Sequence, residues 1–327
     1  LDNANFSRTR FQWDPSGTTL LLEVRSVEGV WNLWRVRVDP GTLAWTRVER
    51  LTTGAGDDVA PGFSSDGTRV TFVTQRASTR IWQYTPIGSG LKDGRPLSPD
   101  GGSALSLDAS PDGDSVLYNF VQPGRSLTPR WWLIRPGRAP TELAGADGQF
   151  ARLSRNGERL AYTKMRTDDS GRLSANAIAV RTIGGREHLI TPWIPGACCR
   201  AACDWSPDDQ FVLACGPTEE MATWPVDEAT NARPSRVIFR LAQHNVWQGQ
   251  YSPNGRWLVF ETLRTRAQGA SLGVIAVEGP PDRPWTRVPL RQRWADKPRW
   301  SADGKTLYFL AADSSFIQLW AARFDPV

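Results

Sequence analysis

The sequence predicts an all-β fold, a seven-bladed β-propeller in which each blade is a four-stranded antiparallel sheet. Three observations support this prediction. One hairpin motif occurs seven times at nearly constant spacing, further extended segments follow each hairpin, and no segment has convincing helical periodicity. Repeats of about 40–50 residues with four strands each are typical of propeller blades.

The repeated hairpin has an apolar or aromatic residue, a serine in most copies, a turn pair, a glycine and an apolar run. The copies are WDPSGTTLLLEV from Trp13, FSSDGTRVTFVT from Phe63, ASPDGDSVLYNF from Ala109, LSRNGERLAYTK from Leu153, WSPDDQFVLACG from Trp205, YSPNGRWLVFET from Tyr251 and WSADGKTLYFLA from Trp300. The turn glycines stand at positions 17, 67, 113, 157, 255 and 304, and Asp209 replaces glycine in the fifth copy. Glycine suits a turn that needs positive φ, and aspartate is among the few other residues that tolerate it.

The segments after each hairpin complete the predicted blades. Third strands such as VWNLWRVRV and fourth strands such as WTRVERLTT follow most hairpins, although the third strand of the fifth blade, around ATWPVDEA, is poorly marked. We predict one domain over residues 1–327, with blade cores starting near residues 10, 60, 106, 150, 202, 248 and 297. The seventh blade ends after its third strand, so residues 1–7 are predicted to supply its outermost strand and to close the ring.

The repeats resemble a known family. The serine, turn pair and glycine before an apolar strand, the IW and LW strands, and the exit at Leu51 and Thr52 resemble TolB-like (WD-type) propeller repeats. Similar repeats form the propellers of the dipeptidyl peptidase IV and prolyl oligopeptidase families, and the resemblance covers essentially the whole chain. It implies a periplasmic or extracellular bacterial domain that binds or senses a protein or small-molecule partner, as part of a receptor or scaffold.

Composition excludes several other classes. The net charge is +5, but the arginines are scattered singly or in pairs, so we predict no nucleic-acid partner. The longest apolar run is far shorter than the ~20 residues of a membrane-spanning helix, so no membrane span is predicted. The chain begins at a leucine and shows no signal peptide.

Charged residues are predicted to approach the central channel. Each hairpin copy opens with an apolar or aromatic residue, and the residues directly before these seven positions are Gln12, Gly62, Asp108, Arg152, Asp204, Gln250 and Arg299. Two interpretations stay open. These side chains pair with one another and with water, or Asp108, Arg152 and Asp204 form a ligand-binding pocket at the channel mouth.

The longer connecting segments suggest a second binding region. Segments 119–130, 164–176, 191–203 and 215–223 belong to the predicted blades three to five, on the face opposite the tight turns. Long loops on a rigid scaffold commonly bind ligands. We therefore predict a partner at this loop-rich face, with Arg166, Asp168 and Trp193 as candidate ligand-binding residues.

All four cysteines lie close together, at Cys198, Cys199, Cys203 and Cys215. An even number in one short stretch favours two disulfides, one joining Cys203 or a neighbour to Cys215 and the other within the preceding link. A zinc site and free buried thiols remain alternatives, although the Cys-x2-Cys spacing of structural zinc sites is missing.

Catalytic signals are weak, and the sequence favours a non-catalytic binding domain without metal or cofactor. There is no Gly-x-Ser-x-Gly motif, and His188 and His244 lie far apart without a nucleophile nearby. The alternative is a propeller hydrolase or lyase with a carboxylate or metal site at the channel mouth. That alternative predicts a bound divalent ion, or two carboxylates about 5–9 Å apart in a pocket.

Overall fold

The structure, a computed structural model, confirms the all-β prediction. It describes residues 10–25, 30–54, 56–76, 78–87, 90–110, 113–121, 129–145, 148–169, 172–196, 200–227, 234, 236–264, 269–292, 294–313 and 316–325. Within these ranges the chain forms 28 β-strands and no α-helix. The strands are connected into antiparallel sheets by short turns and loops.

The strands follow the predicted repeat. Their bounds in the first half are β1 (Phe11–Trp13), β2 (Thr19–Arg25), β3 (Trp31–Val38), β4 (Trp45–Arg50), β5 (Asp57–Phe63), β6 (Val70–Gln75), β7 (Trp82–Ile87), β8 (Gly90–Pro96), β9 (Ser103–Ala109), β10 (Val116–Val121), β11 (Arg130–Ile134) and β12 (Thr141–Glu142). Those in the second half are β13 (Gln149–Leu153), β14 (Arg159–Thr167), β15 (Leu173–Thr182), β16 (Glu187–Leu189), β17 (Ile194–Pro195), β18 (Ala201–Trp205), β19 (Phe211–Cys215), β20 (Glu220–Pro225), β21 (Arg236–Arg240), β22 (His244–Tyr251), β23 (Trp257–Arg264), β24 (Ala270–Ala276), β25 (Thr286–Arg287), β26 (Ala295–Trp300), β27 (Thr306–Asp313) and β28 (Phe316–Arg323).

Four of the eight sheets in the described part of the chain are four-stranded. Four-stranded sheets contain β1–β4, β9–β12, β18–β21 and β22–β25; a five-stranded sheet contains β13–β17, and a three-stranded sheet contains β26–β28. In the described part of the chain, β5–β6 and β7–β8 are separate two-stranded sheets. The blade count of seven therefore stays a prediction, and residues 1–7, predicted to close the ring, lie outside the described residues.

The predicted hairpin turns are present in the described part of the chain, which leaves out residues 111–112 of the third turn, and the serine of the motif has a physical role. The six turn glycines have φ between +70° and +75°, and Asp209 has φ of +56°. The serine hydroxyl accepts a hydrogen bond from the backbone N–H five residues ahead, as Ser206 does from Phe211 at 2.9 Å. In the first copy, which lacks this serine, the Asp14 carboxylate accepts the equivalent bond from Thr19.

The Asp209 side chain explains why one turn lacks glycine. Its two carboxylate oxygens accept hydrogen bonds from the backbone N–H groups of Arg155 (2.8 Å) and Asn156 (3.1 Å), in the turn of the neighbouring sheet. At the next position along the repeat, Gly255 packs against Pro207, where an added Cβ would lie 2.7 Å from the proline Cγ. The turns therefore contact their neighbours in two different ways.

We expect Asp209→Gly to destabilise the protein, although glycine is the residue that the other six turns use. The substitution relieves about 1 kcal/mol of left-handed strain but leaves two backbone donors without partners, which costs about 1–3 kcal/mol each. Chemical denaturation should show a lower midpoint for Asp209→Gly and a smaller change for Asp209→Asn, which keeps one acceptor oxygen. A glycine variant as stable as the parent protein would contradict this role.

A β-bulge recurs in the first strand of five sheets. One extra residue is inserted between Val59 and Gly62, and at the corresponding places in β13, β18, β22 and β26. Four of these bulges contain a non-glycine residue with φ near +53°, namely Ala60, Phe150, Gln248 and Lys297. The bulge shifts the strand by one residue, so it resets which side chains face each side of the sheet.

The described chain groups into two compact units, residues 1–105 with 119–130 and residues 106–118 with 131–327. In the first unit, apolar residues of β2 and β3 form a core around Leu22, Val24 and Val36. In the second unit, four apolar clusters each lie between two consecutive sheets, from β9–β12 through to β26–β28. Face-to-face burial of consecutive sheets is the packing that a propeller requires.

The cysteine prediction is confirmed in part. Cys203 and Cys215 form a disulfide with their Cα atoms 6.0 Å apart, and both side chains are buried. Cys203 lies within the bulge of β18, beside the paired residues Ala202 and Asp204. The second predicted bridge involves Cys198 and Cys199, which lie outside the described residues.

The predicted loop at residues 164–176 is mostly strand. β14 and β15 pair from Arg159 with Thr182 to Thr167 with Leu173, so the hairpin extends well past the point where the sequence indicated a loop. Arg166, Thr167 and Ser174, which lie near the end of the hairpin, are exposed, and their polar character is why this stretch resembled a loop. A two-residue strand, β17, adds to the edge of β15 at Ala175 and Asn176.

Candidate binding site

A pocket opens among the hairpin turns of the second unit. Its volume is about 430 Å³. It is lined by residues at the ends of β9, β13, β18, β22 and β26 and by the turns that follow them, including Asp108, Arg155, Asp204, Gln250, Tyr251, Arg299 and Trp300. The first strands of five consecutive sheets therefore converge here, and we call this cavity the central pocket.

Two of the predicted site residues, Asp108 and Asp204, bond the first strand of the next sheet. Asp108 accepts a hydrogen bond from the backbone N–H of Leu153 at 2.8 Å, and Asp204 accepts one from Tyr251 at 2.8 Å. Both carboxylates are thus partly engaged in holding adjacent sheets together. Asp204 also forms an ion pair with Arg155, with 3.1 Å between Oδ2 and Nη2.

Tryptophan side chains make the reciprocal contact. The indole N–H of Trp205 donates to the carbonyl of Arg152 at 3.0 Å, and that of Trp300 donates to the carbonyl of Gln250 at 3.2 Å. Trp205 is fully buried and lies under the Arg159 guanidinium. These two aromatic residues of the motif therefore link the first strands of adjacent sheets.

The arginines around the pocket differ in their hydrogen-bond and ion-pair partners. Arg152, the third predicted pocket residue, donates from Nε to the Cys203 carbonyl at 2.8 Å. Arg155 is paired with Asp204. Arg299 donates to the carbonyl of its neighbour Pro298 at 3.2 Å, and no carboxylate in the described part of the chain forms an ion pair with it.

Burial shifts the pKa values of two groups here in opposite directions. Burial raises the pKa of Asp204, while the charge of Arg155 and the backbone N–H of Tyr251 oppose that rise. Burial lowers the pKa of Arg299, and the like charge of Arg152 lowers it further, while Asp108 and Asp204 oppose these effects. The pocket therefore contains a desolvated guanidinium that an added anion would stabilise.

The other three predicted site residues lie elsewhere. Arg166 stacks on Trp193, with its Cζ atom 3.8 Å from the ring centroid. The Asp168 carboxylate accepts a hydrogen bond from the backbone N–H of Arg172 at the far end of the β14–β15 hairpin. None of the three lines the central pocket, which lies at the turn end of the sheets. The structure therefore does not support the loop-rich face as the predicted binding face.

A second cluster of acidic groups, which the sequence analysis missed, lies between β23 and β26. Glu261 and Asp296 are buried, and Asp296 accepts hydrogen bonds from the Gln248 side chain (2.6 Å), the Lys297 backbone N–H (2.7 Å) and the Lys297 ammonium (2.6 Å). Burial, the charge of Asp296 and a hydrogen bond to it raise the pKa of Glu261 to about 8. Glu261 is therefore mostly protonated at neutral pH and donates its proton in a hydrogen bond to Asp296.

Within the described residues, no three His, Cys, Asp or Glu side chains are grouped as a metal site would need. The described part of the chain also contains no helix long and apolar enough to cross a membrane. His188 contacts the carbonyl of Val226 with its Nε2 atom at 2.7 Å, and it lies apart from the central pocket residues.

The sequence matches no protein-family model and no curated protein. The structure is similar to TolB from Acinetobacter baumannii, with a TM-score of 0.55 and 10% identity over 90% of this chain and 74% of that protein. A putative TolB from Agrobacterium tumefaciens has a TM-score of 0.45 and 15% identity over 97% of this chain and 90% of its own. An oligogalacturonate lyase from Vibrio parahaemolyticus has a TM-score of 0.41 and 12% identity over 94% and 75%, respectively.

Consecutive antiparallel sheets whose first strands converge on one pocket define the class of β-propellers. The likeness to the Acinetobacter protein shows that the fold is, more particularly, that of the TolB-like propellers.

Proposed function

We propose that this chain is a non-catalytic binding or sensing domain whose central pocket captures an anionic group of its partner. The observation that supports this most is Arg299. It lines the pocket, it is half-buried, and it has no carboxylate partner in the described part of the chain. A desolvated guanidinium binds carboxylate strongly because the charge-assisted hydrogen bonds replace lost hydration.

The remaining pocket residues favour ligand binding over catalysis. One oxygen of Asp108 and one of Asp204 accept backbone hydrogen bonds from the adjacent sheet, so these carboxylates hold the walls of the pocket. The rim adds apolar surface from Leu107, which is 50% exposed, and from Trp300. A few polar groups set among apolar walls are typical of binding sites.

One observation favours the alternative, a hydrolase or lyase. Asp108 and Asp204 line the same pocket, which is the paired-carboxylate arrangement that such an enzyme would need. We prefer binding because the ion pair with Arg155 and the backbone donors already occupy the Asp204 carboxylate. A general acid or base must instead be free to exchange a proton with a substrate.

We also propose how the remaining strands complete the propeller. The strands β5–β8 would form one blade, which makes seven blades in a single domain over residues 1–327, and residues 1–7 would complete the sheet of β26–β28. The Cys203–Cys215 disulfide supports a periplasmic or extracellular location, because disulfides persist in oxidising compartments.

We expect N-acetylaspartate amide to bind saturably at millimolar concentration and to shift the NMR signal of the Arg299 Nε–H group, because the carboxylate would bond to that guanidinium. Arg299→Gln should abolish binding, which means at least a tenfold loss of affinity. Arg138→Gln, at an exposed turn of the same unit, is the matched control and should bind normally. Equal shifts with N-acetyllysine amide, or binding that survives Arg299→Gln, would contradict the proposed function.

A further inference from the structure

A second cavity adjoins the central pocket. It has a volume of about 540 Å³ and lies between the β18–β21 and β22–β25 sheets. Its lining includes Phe211, Arg236, Ile238 and Val277, and it shares Pro207 and Tyr251 with the central pocket. It therefore runs outward from the pocket between two adjacent sheets, and we call it the lateral groove.

The surface of the lateral groove is suited to an apolar side chain. Phe211 and Val277 are partly exposed, and the third apolar side chain of the lining, Ile238, is buried. The charged groups of the lining have partners: Arg236 pairs with the exposed Glu278 at 3.4 Å, and the Asp208 carboxylate accepts hydrogen bonds from the Ser206 hydroxyl and the Gln210 backbone N–H. An apolar group placed here would cover apolar surface without burying an unpaired charge.

Tyr251 connects the two cavities. The residue is 5% exposed and lines both of them, and its backbone N–H is bonded to Asp204. Its hydroxyl has no hydrogen-bond partner among the described residues. The hydroxyl can therefore bond a ligand. Tyr251 therefore borders both cavities, and its side chain is within reach of a ligand that extends from one into the other.

We propose that the occupant is an extended acidic–apolar peptide segment of a protein partner, an inference that rests on the proposed function. Its carboxylate bonds Arg299 in the central pocket, its backbone bonds the Tyr251 hydroxyl, and its apolar side chain fills the lateral groove. An extended chain advances about 3.3 Å per residue. Because the two cavities share Pro207 and Tyr251, we place the acidic and apolar residues of the peptide about one to three positions apart.

The test uses a library of random hexapeptides displayed on phage and selected on the immobilised protein. We expect the recovered peptides to contain an aspartate or glutamate one to three positions from a leucine, isoleucine or aromatic residue. Their affinities are then measured by fluorescence anisotropy. Arg299→Gln should weaken binding at least tenfold, Tyr251→Phe about threefold to tenfold and Phe211→Ala about tenfold, with Arg138→Gln unchanged.

A second binding experiment distinguishes direct contact between Phe211 and the peptide from an effect of Phe211→Ala on folding. A peptide whose apolar residue is replaced by alanine should bind the parent protein about tenfold more weakly and lose nothing further in Phe211→Ala. Val277→Thr, which keeps the shape of the groove, should weaken the unmodified peptide about threefold.

The outcomes distinguish the two proposals. If selected peptides depend on Arg299 but not on Phe211, Val277 or Tyr251, the groove inference is wrong and the proposed function stands. N-acetylaspartate amide binding as tightly as the peptides would also overturn the groove inference. If no selected peptide depends on Arg299, the proposed function itself is wrong.

Discussion

Replacing Asp204 with alanine is expected to lower the free energy of unfolding by about 3 kcal/mol, among the largest effects of any single substitution in this chain. The reason is that one carboxylate serves three donors: the Arg155 guanidinium and the backbone N–H groups of Tyr251 and Trp205. Removing one partner of a buried ion pair typically costs about 3–5 kcal/mol. We take the lower end because Arg155 retains 24% exposure.

Guanidinium denaturation at pH 7 measures this effect. Asp204→Asn should lose less than Asp204→Ala, because the amide oxygen still accepts one backbone hydrogen bond. Asp303→Ala is the matched control, since that carboxylate belongs to an exposed turn and bonds the neighbouring Ser301 and Lys305. A loss for Asp204→Ala no greater than that of the control would show that Asp204 does not hold the two sheets together.

The second large effect is a dependence of stability on pH that originates at Glu261. Its pKa is about 8 in the folded protein, against 4.5 in the unfolded chain. Unfolding therefore releases a proton between these values, so the contribution of Glu261 to stability is complete below pH 4.5 and is lost as the pH rises to 8. The slope for one such group is about 1.4 kcal/mol per pH unit, which amounts to a few kcal/mol across the window.

Glu261→Gln should remove this dependence, because the amide still donates a hydrogen bond to Asp296 but does not ionise. We expect the variant to be more stable than the parent protein at pH 8.5 and similar to it near pH 4.5. Denaturation curves between these pH values test the expectation, with the exposed Glu158→Gln as the matched control. A difference between parent and variant that stays constant with pH would mean that Glu261 is ionised throughout.

Local turn chemistry made the hairpins predictable. The glycine and serine positions follow from a turn that requires positive φ and from a backbone N–H that requires an acceptor, and both requirements are met within six residues of sequence. Asp209 could be assigned to the left-handed region from its residue type. Its bonds to Arg155 and Asn156 could not, because they depend on which turn lies beside it.

The β-bulges, in contrast to the hairpin turns, could not be predicted from the local sequence. Phe150, Gln248 and Lys297 occupy the left-handed region although none of these residue types favours it. Tertiary packing imposes the conformation, and no glycine or asparagine signals it. The bulges also determine that Gln248 and Lys297 reach Asp296, so the acidic pair with Glu261 was missed as well.

The central pocket is lined by two of the three residues that the sequence proposed for a pocket at the channel mouth. Asp108, Arg152 and Asp204 were identified because they precede the apolar residue of the motif, and the structure places Asp108 and Asp204 in the pocket wall with Arg152 beside Arg299. Arg155 was missed, although it is the one turn residue after the serine that is charged; the other copies have serine, alanine or proline there. Arg166 and Trp193 were chosen because they lie in long predicted loops; they contact each other, Arg166 lies in the β14–β15 hairpin, and their role in binding stays a prediction.

A crystal structure of the protein soaked with N-acetylaspartate amide tests the central claim most directly. The account predicts the carboxylate in the central pocket, with at least one oxygen within about 3 Å of the Arg299 guanidinium. Density for the compound beside Arg166 and Trp193, with the central pocket free of it, would contradict the account.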